Sequence, residues 1–191
     1  MSTLTIPVGE DDHAQGPAAA LVTLVEYGDY QCPYCGAAHP VVKAVQAAIG
    51  DELRFVFRNF PLAQIHEHAM LAAQAAESAG GQGESAFWAM HDRLFENQDR
   101  LDLKSLISYA PDLGLNVGQF QRDIEAETFR SRIEHDFRGG VRSGVNGTPT
   151  FFINGLRYDG GVDADSLTAA IRRAARKSAS SAGLTSGRRL D

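Results

Sequence analysis

Cys32 and Cys35 are the only cysteines in the sequence, and Pro33 and Tyr34 stand between them. Two sulfurs at this spacing can clip a metal, staple the fold as a disulfide, or cycle between dithiol and disulfide. A structural zinc site closes a full tetrahedral ligand set. Here the candidate third ligand is His39, four residues after Cys35, and there is no second Cys-x-x-Cys. His66 and His68 are spaced by two, which on a helix turns their rings apart. The metal reading therefore lacks ligands.

The redox reading depends on what carries the pair. "AALVTLVEYGDY" (residues 19–30) is apolar and β-branched and ends in Gly28 and Asp29, which reads as a buried strand feeding a turn. From Pro33 to Ile49 the text turns helical, with Ala37, Val41, Ala44, Val45 and Ala48 at spacings of three and four and Gly50 as a stop. "ELRFVFRNFPL" then alternates Leu53, Phe55 and Phe57 against Arg54, Val56 and Arg58, which is strand periodicity. The result is a βαβ unit with both cysteines at the start of its helix. A sulfur in a first helical turn faces unpaired N–H groups and the positive end of the dipole, and both favour thiolate. That makes Cys32 the expected nucleophile. Cys35, one turn on, can attack a mixed disulfide formed there. Pro33 suits the first turn because it has no N–H to leave unpaired.

Beyond this unit, residues 63–142 carry no strand signal. Helical stretches are expected at "AQIHEHAMLAAQAAESAG", at "ESAFWAMHDRLFEN", and around 103–109, 117–124 and 125–141, the latter ones separated by Pro111 and Gly114. His39, His66, His68 and His91 read as boundary residues of such helices. Phe87, Trp88, Phe95 and Phe120 read as core. The strand pattern returns at "TPTFFINGLRYDGG", where Asn154-Gly155 signals a two-residue hairpin. "DADSLTAAIRRAARK" closes with a helix capped by Asp163 or Asp165, with Arg172, Arg173, Arg176 and Lys177 as its basic end. The polar stretch 178–191 reads as a disordered tail.

Composition narrows the function classes. A formal net charge of -6 gives no reason to expect nucleic acid or an acidic membrane surface as partner. No run approaches the roughly 18 apolar residues of a membrane span. The N-terminus, with Glu10, Asp11 and Asp12, does not look like a secretory signal. The expectation is a cytoplasmic site unless the chain is a processed form, and there a lasting structural disulfide is out of place.

Four separated stretches, "EYGDYQCPYCGAAHP", "RNFPL", "FWAMHDRLFENQ" and "GVNGTPTFFING", resemble the DsbA-like branch of the thioredoxin superfamily over roughly residues 18–175. The resemblance implies an α/β thioredoxin fold, a mixed central sheet with an inserted all-helical subdomain. Residues 18–62 and 143–177 would form the thioredoxin-like domain, 63–142 the insertion, and 1–17 an N-terminal arm. It also implies dithiol–disulfide exchange with protein or peptide thiols and no metal or organic cofactor. Recycling would fall to glutathione or a thioredoxin-type system. Thr148-Pro149 matches the family's cis-proline loop beside the reactive cysteine. Glu26 matches the acid kept near the disulfide, where a partly desolvated carboxyl could exchange protons with Cys35. With Pro33 and Tyr34, Thr148 and Pro149 are the residues expected to meet substrate. Tyr34 is a departure, since strongly oxidising periplasmic members carry Pro-His between the cysteines. A neutral tyrosine cannot stabilise a thiolate as an imidazolium can, which implies a weaker oxidant. Two other functions use related folds: a glutathione-dependent transferase or isomerase, and a peptide-binding, chaperone-like module whose dithiol senses redox state.

Overall fold

The computed structural model describes residues 2–186. The elements run β1 (His13–Gln15), β2 (Val22–Gly28), α1 (Pro33–Ile49), β3 (Leu53–Asn59), α2 (Ala69–Gly80), α3 (Glu84–Glu96), α4 (Leu103–Asp112), α5 (Val117–Glu125), α6 (Arg130–Arg142), β4 (Thr150–Ile153), β5 (Leu156–Tyr158) and α7 (Ala164–Ser186). They form one five-stranded sheet of order β1-β3-β2-β4-β5. β2 and β3 are parallel, and the other neighbouring pairs are antiparallel. A parallel pair needs a crossover, and α1 supplies it.

Side chains alternate across the sheet, and both faces are covered. Leu24, Phe55, Phe57, Phe151 and Ile153 pack with α1, α7 and the helical block, while Val25, Tyr27, Val56 and Phe152 pack on the other side with Phe60 and Val145. The alternation along β3 is therefore not an inside–outside pattern. Arg58 is only 3% exposed. Its guanidinium donates to both Asp12 carboxylate oxygens (2.7 and 2.9 Å), to the carbonyls of Ile6 and Pro7, and to the Tyr27 hydroxyl. All of these partners but Tyr27 come from the first seventeen residues, which also contribute β1, an edge strand too short to leave a periodicity in the sequence. Along α1 the inward face is Cys35, Ala38, Val42 and Val45, whereas Ala37, Ala44 and Ala48 of the expected stripe are exposed.

Five helices, α2 to α6, lie between β3 and β4. The alanines of α2 are buried along nearly its whole length, because small side chains let neighbouring helices close in on every side. Glu77 of α2 ties this block to the sheet, accepting from Asn59 Nδ2 at 2.7 Å and meeting Arg132 Nε at 2.6 Å and His13 Nε2 at 3.2 Å. Phe87, Trp88, Phe95 and Phe120 are buried as expected. His91 is not a boundary residue: it is 3% exposed, ringed by Tyr30, Phe57, Trp88 and Phe95. Burial there holds its imidazole well below the usual pKa. Pro111 lies inside the last turn of α4 and does not separate helices.

Asn154 (φ 48°) and Gly155 (φ 78°) form the expected tight hairpin between β4 and β5. Asp163 caps α7, its Oδ1 accepting from the Ser166 N–H at 2.9 Å. The expected disordered tail is corrected in part: α7 continues through residue 178 to Ser186, and residues 187–191 lie outside the described residues. Alanine and serine have enough helix propensity to extend a helix already anchored by Leu167, Ile171 and Ala175. Arg172, Arg173, Arg176 and Lys177 thus sit along the exposed side of α7, not at its end. No helix of the described residues is long and apolar enough to cross a membrane.

Candidate active site

β2 ends at Gly28, where a Cβ would meet the Phe57 ring at 2.4 Å, so the chain can turn there only without a side chain. Asp29, Tyr30 and Gln31 carry it to Cys32, the N-cap of α1, in extended conformation (φ −70°, ψ 122°). Pro33 occupies the first turn, and the Gly36 N–H donates to the Cys32 carbonyl at 3.0 Å. The Cys32 Sγ lies 3.4 Å from the carbonyl oxygen of Thr148, and the Thr148–Pro149 peptide bond is cis. Cys35 Sγ faces inward and accepts from the Asp29 N–H at 3.5 Å. Cys32 is 4% exposed and Cys35 0%, a contrast only of degree. Tyr34, between them, is 75% exposed.

Their electrostatics diverge much further than their exposure. The Cys35 thiol donates to Cys32 and, with the Thr148 side chain and the N–H groups of Cys35 and Tyr34, outweighs burial and lowers the Cys32 pKa to about 5. The Thr148 hydroxyl is buried with no other partner, which leaves it available to that sulfur. Burial pushes the Cys35 thiol far up, reinforced by its bond to Cys32 and by the nearby Glu26 carboxyl. Glu26 lies in the middle of the sheet, opposite Phe57 and Phe151, with Oε1 buried and unpaired. Burial first, then the charge on Cys32, raise its pKa to about 8. Lys43 pairs with Asp92 on the surface (2.8 Å).

Three supporting residues escaped the sequence reading. The Asp29 carboxylate, fully buried, accepts from the N–H of Gln31 and of Leu62 and meets His66 Nδ1, each at 2.8 Å. His66 is in the loop before α2, not on a helix. Gln98, just past α3, donates from Nε2 to the carbonyls of Tyr30 and Cys32, both at 2.8 Å. Gln98 closes the quoted stretch "FWAMHDRLFENQ", so its position was visible in sequence, but a contact across 66 residues was not.

As for metals, His39, His91 and Asp92 are a group whose ligand atoms come within 4.8 Å of one another. Neither cysteine belongs to it, and the Lys43 ammonium already sits on Asp92. His39 therefore does not join Cys32 and Cys35 as a third ligand.

The sequence model of the thioredoxin family matches residues 9–173. Among curated proteins, the Na(+)/H(+) antiporter NhaA 1 of Salinispora arenicola is 44% identical over 172 residues, covering 90% of this chain and 26% of that protein. The Na(+)/H(+) antiporter NhaA of Herminiimonas arsenicoxydans is 41% identical over 167 residues, covering 87% and 26%. The chain thus spans about a quarter of the length of these relatives. Among solved structures, oxidised BdbD from Bacillus subtilis superposes with a TM-score of 0.81 at 24% identity, covering 92% of this chain and 98% of that one. Wolbachia pipientis alpha-DsbA1 gives 0.81 at 20% identity, with 93% and 97% covered. A thioredoxin-like oxidoreductase from Silicibacter pomeroyi gives 0.77 at 30% identity, with 88% and 94% covered. The first two are likenesses of fold; the third joins fold to sequence. With the family match running over residues 9–173, from β1 into α7, the chain belongs to the thioredoxin family, and it shares its fold, helical block included, with Wolbachia pipientis alpha-DsbA1.

Proposed function

We propose that the chain is a thiol–disulfide oxidoreductase exchanging the Cys32–Cys35 pair with thiols or disulfides of proteins or peptides. The observation that carries this reading is the opposed setting of two neighbouring sulfurs, Cys32 at the N-cap of α1 beside the Thr148 carbonyl and Cys35 facing inward against the Asp29 N–H. In the reducing direction, the Cys32 thiolate attacks a substrate disulfide. A Cys32–substrate disulfide forms and one substrate sulfur leaves as thiolate. Cys35 then gives up its proton and attacks the Cys32 sulfur, which expels the second substrate thiolate and closes the Cys32–Cys35 disulfide. The substrate gains two electrons and the dithiol loses two; the reverse sequence oxidises a substrate dithiol.

Glu26 has a timed role in this scheme. While Cys32 is a thiolate, its charge helps keep Glu26 protonated. Forming the mixed disulfide removes that charge, so the Glu26 pKa falls just when Cys35 needs a base. Tyr34 and Pro33, exposed on one side of the sulfur, and Thr148 and Pro149 on the other, border the place where an extended substrate would lie. The glutathione or thioredoxin-type recycling partner belongs to the same proposal.

The test is trapping. Cys35→Ser leaves the mixed disulfide without its internal resolver, so thiol proteins should accumulate on Cys32 and survive non-reducing electrophoresis. Cys32→Ser should trap few or none. Equal trapping by both variants, or none by either, would sink the reading.

A further inference from the structure

One side chain outside the cysteine motif and the Thr148–Pro149 loop reaches the backbone of the nucleophile itself. Gln98 follows Asn97, the C-cap of α3, in a turn closed by the Arg100 N–H donating to the Asn97 carbonyl (2.9 Å). Asn97 Nδ2 donates back to the Arg93 carbonyl, and the Tyr109 hydroxyl of α4 holds the Arg100 carbonyl. The turn is thus fixed to two helices of the inserted block. From it the Gln98 amide extends to the carbonyls of Tyr30 and Cys32. Both partners are pure acceptors, so the amide must present its –NH2 group to them.

The sequence on the other side is shaped to receive it. A Cβ on Gly36 would lie 2.1 Å from Gln98 Oε1 and 2.6 Å from Cδ. Gly36 lies within α1, where its backbone needs no glycine, so the residue's use here is the space it leaves. Tyr30 is buried, and Gln98 Nε2 is the one donor described on its carbonyl among the described residues.

We propose that Gln98 is a positioning residue for the dithiol, a clamp from the helical block that holds the Tyr30–Cys32 backbone and, through it, the first turn of α1. The Cys32 carbonyl is the link: Gln98 shares it with the Gly36 N–H, whose bond to it closes that turn. The N–H groups of Tyr34 and Cys35 that stabilise the Cys32 thiolate belong to the same turn. If the N-cap shifts, those donors lose their aim at the sulfur. The inserted block then does more than cover the sheet: it sets how acidic the nucleophile is. This inference rests on Cys32 being the attacking thiol of the proposed exchange.

The test needs no substrate. Alkylation of the reduced protein as a function of pH reports the Cys32 titration in wild type, Gln98→Ala and Gly36→Ala. Gln98→Ala should raise the midpoint by about one unit, which is about a tenfold loss of thiolate at pH values below both midpoints. Gly36→Ala leaves Gln98 in place but drives its amide off the turn, and should move the midpoint the same way, although alanine for glycine favours a helix. The double variant should shift no further than the larger single one, since both act on one contact. A thermal melt that falls while the midpoint stays put in Gln98→Ala would overturn the proposal, as would a Gly36→Ala protein with an unmoved midpoint. A wild-type Cys32 that titrates like an ordinary thiol would instead sink the nucleophile assignment, a separate failure.

Discussion

Glu26 is the residue whose chemistry and energetics pull in opposite directions. A carboxyl with its folded pKa raised from 4.5 to about 8 keeps its proton where the unfolded chain has lost it. Its stabilising contribution is therefore full below pH 4.5 and is lost as pH rises through about 8. Glu26→Gln keeps the shape and removes the titration. Urea unfolding should show the variant gaining on wild type from pH 5 to pH 8. The same variant should slow the resolving step on the order of 10²-fold, with its pH dependence altered, while the first attack by Cys32 changes little. An unchanged pH–rate profile would return Glu26 to a packing role. The burial of Glu26 was legible in sequence, because it stands in an apolar run six residues before Cys32. That of Arg58 was not. A strand shows alternation but not what lies over its second face, and the Asp12 that makes burial of Arg58 tolerable is 46 residues away.

The elements were legible where local chemistry decides them and opaque where packing does. Pro33, Gly50 and Asn154-Gly155 marked the start and stop of α1 and the β4–β5 hairpin because each answers a backbone requirement within a few residues. Burial on α1 was misjudged because small alanines satisfy helical spacing on any face, and the partner sheet chose Ala38 and Val42. The loop at Asp29 is the clearest case of an element set by a distant partner. Asp29 follows a strand and looks like a turn former, yet its carboxylate joins the approach to Cys32 to the segment 62–66. Asp29→Ala should strand the Gln31 and Leu62 N–H groups and the His66 ring together, costing about 3 kcal/mol in denaturant unfolding. Asp29→Asn keeps the shape and one acceptor oxygen, and should cost less. Equal stability of Asp29→Ala and wild type would mean that water replaces the carboxylate at no cost and that the loop is held elsewhere.

At the scale of the whole molecule, the proposed exchange couples protons to its two electrons. Below the Cys32 pKa of about 5, reducing the disulfide binds two protons, one on each sulfur; above it, Cys35 alone is protonated. For a two-electron couple each bound proton adds about 30 mV per pH unit to the fall of the reduction potential. The slope should therefore halve near pH 5, from about 59 to about 30 mV per unit. Glu26 complicates the shallow arm, because a thiolate at Cys32 raises its pKa and so draws in part of a proton on reduction. In Glu26→Gln that coupling is gone and the break should be sharp. Stability obeys the same linkage. The reduced protein gains stability from Cys32 as pH rises from about 5 toward 9, a term lost again as pH falls through 5, and the disulfide form has no such term. Equilibration with glutathione between pH 4 and 8 measures the potential, and paired unfolding of the two redox forms measures the difference in stability. A single steep slope throughout, with both forms losing stability in parallel, would mean that Cys32 is protonated at neutral pH and that the fold does not prepare it for attack.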